Sequence, residues 1–351
     1  MDRATFLTSG ISRDAFGIEI GPFYNPIAPK AHGWNTTVID YTDQEGLLNL
    51  ARNHTAQVIR DMASNIEVVD VVWRGEPIDQ ACLSIRKEGF HYLIASHVIE
   101  HTPDIISFLR QVSNLADKDF ILSLAVPDCR RTFDFFKPLS TTADALLAYR
   151  QKRSLHAPET MFVAYSCSLW VNGVGAWLPG QTGELRLPDR LDEAHLKYTD
   201  YLSRFETGTQ SYVDSHCWYW TPSSFEMMIL ELNYLGYVDF IIDTLESQPS
   251  SEFLVRLRKG KCHLGAEELH ERRLHLMMNT RRELAEASAM VLIQNKEEDA
   301  VMKSKISSQE ITLAELRADL ASAQRQILDM ENSTCWRLTK PIRAAKSLLI
   351  R

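Results

Sequence analysis

The sequence predicts an α/β chain: a doubly wound, mainly parallel sheet with crossover helices, an insertion, and a C-terminal helical or coiled-coil extension. Three observations predict it. Short apolar runs of strand length, such as Gly17-Ile18-Glu19-Ile20 and Phe120-Ile121-Leu122-Ser123-Leu124-Ala125-Val126, alternate with polar stretches of helical spacing. The first run ends in Gly21-Pro22 and the second, Thr37-Val38-Ile39, in Asp40, the order strand, glycine turn, crossover, strand, acid of a nucleoside-binding unit. Residues 264–333 contain no proline and are rich in Ala, Glu, Arg and Leu.

Each element follows in order. Gly21 lets the backbone approach a ligand, and Asp40 at the tip of the second strand can accept both hydroxyls of a ribose; the same residues also fit an ordinary turn and an exposed strand-end acid. Residues 44–64, with Leu47, Leu48, Leu50, Val58 and Ile59, predict a helix, and 66–73 predict a third strand ending in Asp70 to Trp73. A fourth strand spans 90–96 and leads into His97-Val98-Ile99-Glu100-His101-Thr102-Pro103, with Pro103 in the first turn of a helix capped by Thr102. The fifth strand stops at Pro127-Asp128.

From 129 to 212 the pattern breaks into mixed charge and aromatic rings, a helical piece near 142–152 and a glycine-rich stretch around 172–183. This reads as an insertion, or lid, over the sheet's ligand edge. The α/β domain is therefore expected over 1–128 and 213–260, where Thr221-Pro222 caps a helix stopped by Gly236, and 237–242 with 252–257 form a closing strand pair. Beyond 264, Leu313, Leu316, Leu320, Ala323, Ile327 and Met330 alternate three- and four-residue steps, a heptad seam for an oligomer, a helical hairpin or a solvated helix. The tail, 334–351, is basic and carries Trp336, Leu348, Leu349 and Ile350, which suits an anionic membrane surface or a docking peptide.

Composition narrows the classes. A formal net charge of -8 argues against nucleic acid as a partner. Six scattered cysteines without CxxC pairing, no leader-like N-terminus and no long apolar run point to a reducing, cytoplasmic setting, peripheral to a membrane at most.

These pieces together resemble the class I S-adenosylmethionine-dependent methyltransferases, most nearly bacterial proteins found beside glycosyltransferases in surface-polysaccharide pathways. The likeness rests on Ile18-Glu19-Ile20-Gly21-Pro22, Val38-Ile39-Asp40, Ala95-Ser96-His97-Val98-Ile99-Glu100-His101 and Val126-Pro127-Asp128, and covers residues 15–258. It implies a Rossmann-like methyltransferase fold and S-adenosyl-L-methionine as cofactor. Glu19 and Gly21 would line its methionine end and Asp40 would hold the ribose. Asp70 and Trp73 would border the adenine, and Ser96 and His97 would lie near the sulfonium. Glu100 and His101 would cap the next helix. Here Pro22, Pro26 and Pro29 stand where the family's loop carries further glycines, which leaves a degenerate, non-catalytic scaffold as the alternative. The implied acceptor is a glycan, nucleotide-sugar or lipid-linked sugar, with glycosyltransferases as partners.

A sugar hydroxyl needs a base, and histidine suits that near neutral pH. His216, in Asp214-Ser215-His216 among aromatic rings, is the first candidate and His97 the second; a buried histidine with one structural hydrogen bond is the alternative for each. Ligand residues do not recur at metal-binding spacing, so no metal site is expected.

Overall fold

The structure is a computed structural model that describes residues 2–178, 181, 183–334 and 336. The chain opens on a short helix, α1 (Arg3–Thr8), capped by Asp2. Strands β1 (Phe16–Ile20) and β2 (Asn35–Asp40) follow. Helices α2 (Gln44–Arg52) and α3 (Gln57–Asp61) replace the single helix expected over 44–64. The break falls where polar groups compete for the backbone: the His54 ring accepts the Ala56 N–H, and Arg60 donates to the His54 and Thr55 carbonyls.

Only Val71–Val72 of the expected third strand is extended in the sheet, as β3. Upstream of it the Asp70 N–H still bonds Val38 O at 2.9 Å, but the Val38 N–H goes to the Asp70 side chain instead of a backbone carbonyl, and the ladder stops there. Helix α4 (Ile78–Leu83) leads to β4 (Phe90–Ser96), which matches its expected span. Helix α5 (Ile105–Leu115) is capped by Asp104, whose carboxylate accepts the Ser107 N–H, and not by Thr102. Thr102 instead donates to Ile99 O and closes a single 3₁₀ turn, Ile99–His101. Strand β5 (Ala116–Pro127) ends the parallel run.

The insertion holds α6 (Thr142–Gln151), α7 (Pro158–Ser166), a two-stranded ribbon of β6 (Trp170–Val171) with β7 (Leu185–Arg186), and α8 (Leu191–Glu206). Helix α9 (Pro222–Tyr234) starts at its Thr221 cap, and β8 (Phe240–Ser247) and β9 (Glu252–Lys259) close the sheet as an antiparallel pair. Helix α10 (Ala266–Asn332) runs for 67 residues.

The sheet has seven strands in the order β3-β2-β1-β4-β5-β9-β8, with only β9 antiparallel to its neighbours. From β1 the chain winds outward through β2 and β3, then returns to β1's other side with β4. The switch point therefore lies between β1 and β4, where open α/β sheets bind ligands beyond their carboxyl ends. The main core joins the sheet to α5 and α9 through Phe108, Leu109, Phe225, Met228 and Leu232. A smaller core packs α1 on the opposite side through Phe6, Leu7, Tyr92 and Leu254.

Contacts divide the chain into two units, Met1–Ser288 and Ala289–Arg351. The first unit thus extends past the boundary expected near 260 and takes in the start of α10. Leu276 and Ala287 are buried, Arg273 Nε lies 2.7 Å from Glu231, and Glu283 accepts the Ser223 hydroxyl at 2.8 Å, at the N-terminus of α9. In the second unit the heptad residues Leu313, Leu316, Leu320, Ile327 and Met330 are exposed. The basic tail, apart from residues 334 and 336, lies outside the described residues. Among the described residues no helix is long and apolar enough to cross a membrane.

Candidate active site

The carboxyl ends of β1 and β2 form one side of the site. Gly21 adopts φ 64°, the left-handed turn that glycine tolerates, and its N–H bonds Ile39 O at 2.8 Å. Glu19 lies beneath the loop that follows. Its two oxygens accept the Ile27 and Ala28 N–H groups at 2.7 and 2.9 Å. Burial pushes its carboxyl up to about 7, against the pull of those two bonds. The Glu19 carboxylate is therefore committed to clasping the proline-rich loop, and it does not offer a free acceptor to a ligand's methionine end.

Asp40 is different. It is 6% exposed, one oxygen accepts the Tyr41 N–H at 2.8 Å, and the other accepts no hydrogen bond from the described residues. Burial pushes its carboxyl up to about 6. A ribose diol brings two O–H donors, the groups this carboxylate lacks, so Asp40 fits a nucleoside. Asp70 sits one strand over, but its Oδ2 is taken by the Val38 N–H at 2.7 Å and by Lys30 at 2.5 Å. Trp73 borders the same edge: its N–H bonds Asp40 O, its indole donates to Glu76 O at 2.6 Å, and its ring packs on the main core. Ser96, at the end of β4, accepts from Arg3 of α1, and Arg3 also donates to Glu252 at 2.9 Å.

The other side is built from residues past β4 and from the segment that returns from the insertion. That segment is pinned to the 3₁₀ turn: the Cys217 N–H bonds Glu100 O at 2.8 Å and the Trp218 indole donates to Thr102 O at 2.6 Å. This brings His216 beside His101, with ring centroids 4.7 Å apart. His97, at the tip of β4, holds φ 55°, a strained conformation for a residue with a side chain. Each of the three rings has a carboxylate at one nitrogen: Glu252 at 2.9 Å from His97 Nε2, Asp214 at 2.8 Å from His101 Nδ1, and Asp134 at 2.6 Å from His216 Nδ1.

The electrostatics follow from these pairs. Burial opposes the charge on Asp134, yet the His216 hydrogen bond and the His216 and Lys137 charges hold its carboxyl below the ordinary value. Lys137 Nζ lies 2.8 Å from Asp134 in a fully buried ion pair. Glu252 is lowered likewise, the His97 bond and Arg3 outweighing burial. Burial pulls His101 down, but Asp214 and Glu100 raise it above its usual range.

The structure thus brings His97 and His216 together across the sheet edge, and joins to them residues that had only a capping role or none in the sequence: Glu100, His101, Asp134, Arg3 and Glu252. The local part of that signal is the i, i+3, i+4 spacing of His97, Glu100 and His101. Asp134, His216 and Glu252 arrive through tertiary folding. A cavity of about 600 Å³, lined by Arg153, Pro158, Phe205 and Gln210, opens separately within the insertion.

No protein-family model matches this sequence, and no curated protein matches it. Among solved structures the chain is similar to the CcbJ methyltransferase from Streptomyces caelestis, at 11% identity over 73% of this chain and 93% of that one, with a TM-score of 0.36. It is similar to an S-adenosylmethionine-dependent methyltransferase from Mesorhizobium loti, at 11% identity over 73% and 98%, TM-score 0.33. It is also similar to a Rhodobacter sphaeroides protein proposed as a Zn-dependent alcohol dehydrogenase, at 12% identity over 74% and 90%, TM-score 0.37.

Proposed function

We propose that this chain is an S-adenosylmethionine-dependent methyltransferase whose acceptor is a hydroxyl of a sugar or glycan precursor. One observation carries the reading: Asp40, a buried and half-satisfied carboxylate at the carboxyl end of β2, shares the switch-point edge of the sheet with the histidine cluster past β4. The doubly wound, mainly parallel sheet is the fold class that the sequence resemblance implies.

Asp40 would hold the ribose, and the Gly21 turn would let the backbone come close to it. When bound, the cofactor supplies a sulfonium methyl group, which passes to an acceptor oxygen that has lost its proton, the S–C electron pair staying on sulfur. The protein's work is then to position the acceptor and take that proton. His97 and His216 are both built for this. A carboxylate fixes one nitrogen of each ring and leaves the other turned toward Glu100, with His97 the more exposed of the two. The sugar acceptor and association with glycosyltransferases draw on the polysaccharide-linked resemblance, and a cytoplasmic setting on the scattered, unpaired cysteines.

Calorimetry of the full chain with S-adenosylmethionine tests the reading. Saturable binding is expected, weakened at least tenfold by Asp40→Ala. A wild-type protein that gives no measurable binding overturns it. Mass spectrometry of the host polysaccharide, with and without the protein, then reads the acceptor as a lost methyl increment.

A further inference from the structure

Glu100 stands out among the buried carboxylates of the described residues. It is fully buried, and neither carboxylate oxygen has a hydrogen-bond partner among the described residues. An ionised carboxylate in that position is costly unless a cation compensates it. No lysine or arginine pairs with it among the described residues, whereas Asp134 has Lys137 and Glu252 has Arg3. Around its Oε1 stand three imidazole nitrogens: His101 Nε2 at 3.6 Å, His97 Nδ1 at 3.7 Å and His216 Nε2 at 3.8 Å. These separations are too long for hydrogen bonds. They are close to the roughly 3.3–3.6 Å between neighbouring ligand atoms whose bonds to one ion are about 2.0–2.2 Å long.

We propose that Glu100, His101 and His216 form a binding site for a divalent transition-metal cation, with a coordination position left open for the acceptor's oxygen. One ligand atom from each of the three residues lies within 4.8 Å of the others. The outer shell has the arrangement that metal sites need. A histidine ligand usually gives its second N–H to a carboxylate, which fixes the tautomer and aims the lone pair at the ion. Asp134 does this for His216 at 2.6 Å, and Asp214 stands 2.8 Å from His101. Two imidazoles and one carboxylate suit Zn²⁺ or Fe²⁺ over the harder Mg²⁺ or Ca²⁺, and three protein ligands are the number a catalytic site uses. The assignment also separates the two histidines of the proposed reaction. His216 becomes a ligand, and His97, held by Glu252, remains beside the open position as the group that takes the acceptor's proton.

The ion's binding stands independently of methyl transfer; its role at an acceptor oxygen rests on the function proposed above. The test uses the full chain, stripped with a chelator and titrated with Co²⁺, whose visible absorption reports a low-coordinate site. One Co²⁺ per chain is expected, displaced by Zn²⁺. His101→Ala and Glu100→Gln should each weaken Co²⁺ binding at least tenfold, while His32→Ala, an exposed histidine elsewhere, should bind as the wild type does. Thermal melts guard against misfolding: Zn²⁺ should raise the melting temperature of the wild type and leave that of folded Glu100→Gln unchanged. A wild type that binds neither Co²⁺ nor Zn²⁺ overturns the proposal, as does unchanged Co²⁺ affinity in both ligand variants. Calorimetry with S-adenosylmethionine on the same samples keeps the two readings apart. Cofactor binding without metal binding removes the metal site alone; metal binding without cofactor binding removes the methyltransferase reading alone.

Discussion

Asp40 carries a buried charge that its own chain only half compensates, and this sets function against stability at a single residue. Its carboxyl is pushed up to about 6 from an ordinary 3.8 by burial. A carboxyl raised in the folded state contributes stability that is fully present below the unfolded value and is lost as pH rises through the folded one. At pH 7 the folded protein therefore bears a penalty of up to about 3 kcal/mol at this position, at roughly 1.4 kcal/mol per pKa unit. Asp40→Asn removes the charge and keeps the shape. It should raise the urea midpoint of the ligand-free protein at pH 7, with the gain fading by about pH 4, and it should weaken cofactor binding at least tenfold. The two effects have opposite signs, so denaturation and calorimetry on one sample read both. A variant less stable than wild type at pH 7 would show that Asp40 is compensated after all.

One glycine in β1 anchors the loop that covers the site. An ideal Cβ on Gly17 would lie 2.0 Å from Tyr92 Cζ, because the Tyr92 ring lies flat against that glycine from the next strand. There the buried Tyr92 hydroxyl meets Thr36 Oγ1 at 2.8 Å, Thr36 donates to Ala28 O at 2.7 Å, and the Ala28 N–H reaches Glu19. Gly17→Ala should displace Tyr92 and break this chain at its root, at about 3–5 kcal/mol, the cost of emptying an aromatic core site. Tyr92→Phe should lose only about 1 kcal/mol with the hydroxyl. Equal urea midpoints for the two variants would sink the argument. This link was not legible in the sequence, where Gly17 reads as part of an apolar run. β4, β5 and the start of α9 were legible because an apolar run or a Thr-Pro cap is a local signal. The third strand was overread because Ile66 and Val69 are apolar for another reason: they pack with α2 residues in a satellite core, while Val68 is exposed. Of the site, Asp40, His97 and His216 were named from the sequence and Glu100 and His101 read there only as caps, while the pairing of Asp134 with His216 and of Glu252 with His97 joins distant segments that only the fold assembles.

At the scale of the whole chain, the two units pose opposite problems. The first builds a packed core and takes α10 as far as Ser288 into it. The second leaves Leu313, Leu316, Leu320, Ile327 and Met330 in water on the stretch of α10 where three- and four-residue steps recur. A lone helix draws little stability from propensity, and an apolar seam of this spacing is buried when a second helix supplies the holes for its knobs. Each Leu or Ile buried in such a seam contributes roughly 1.5–3 kcal/mol, enough over several positions on two chains for association at micromolar concentration. The expected occupant is a second copy of this chain, since an in-register parallel pair sets Leu against Leu at 313, 316 and 320. Sedimentation equilibrium should show a dimer that dissociates on dilution. Leu320→Glu places like charges face to face in the seam and should leave a monomer whose cofactor affinity is unchanged, because Asp40 and the histidine cluster belong to the first unit. A wild type that stays monomeric at tens of micromolar would exclude the paired helix and leave the seam for a different protein; a Leu320→Glu variant that still dimerises would move the interface elsewhere on the chain.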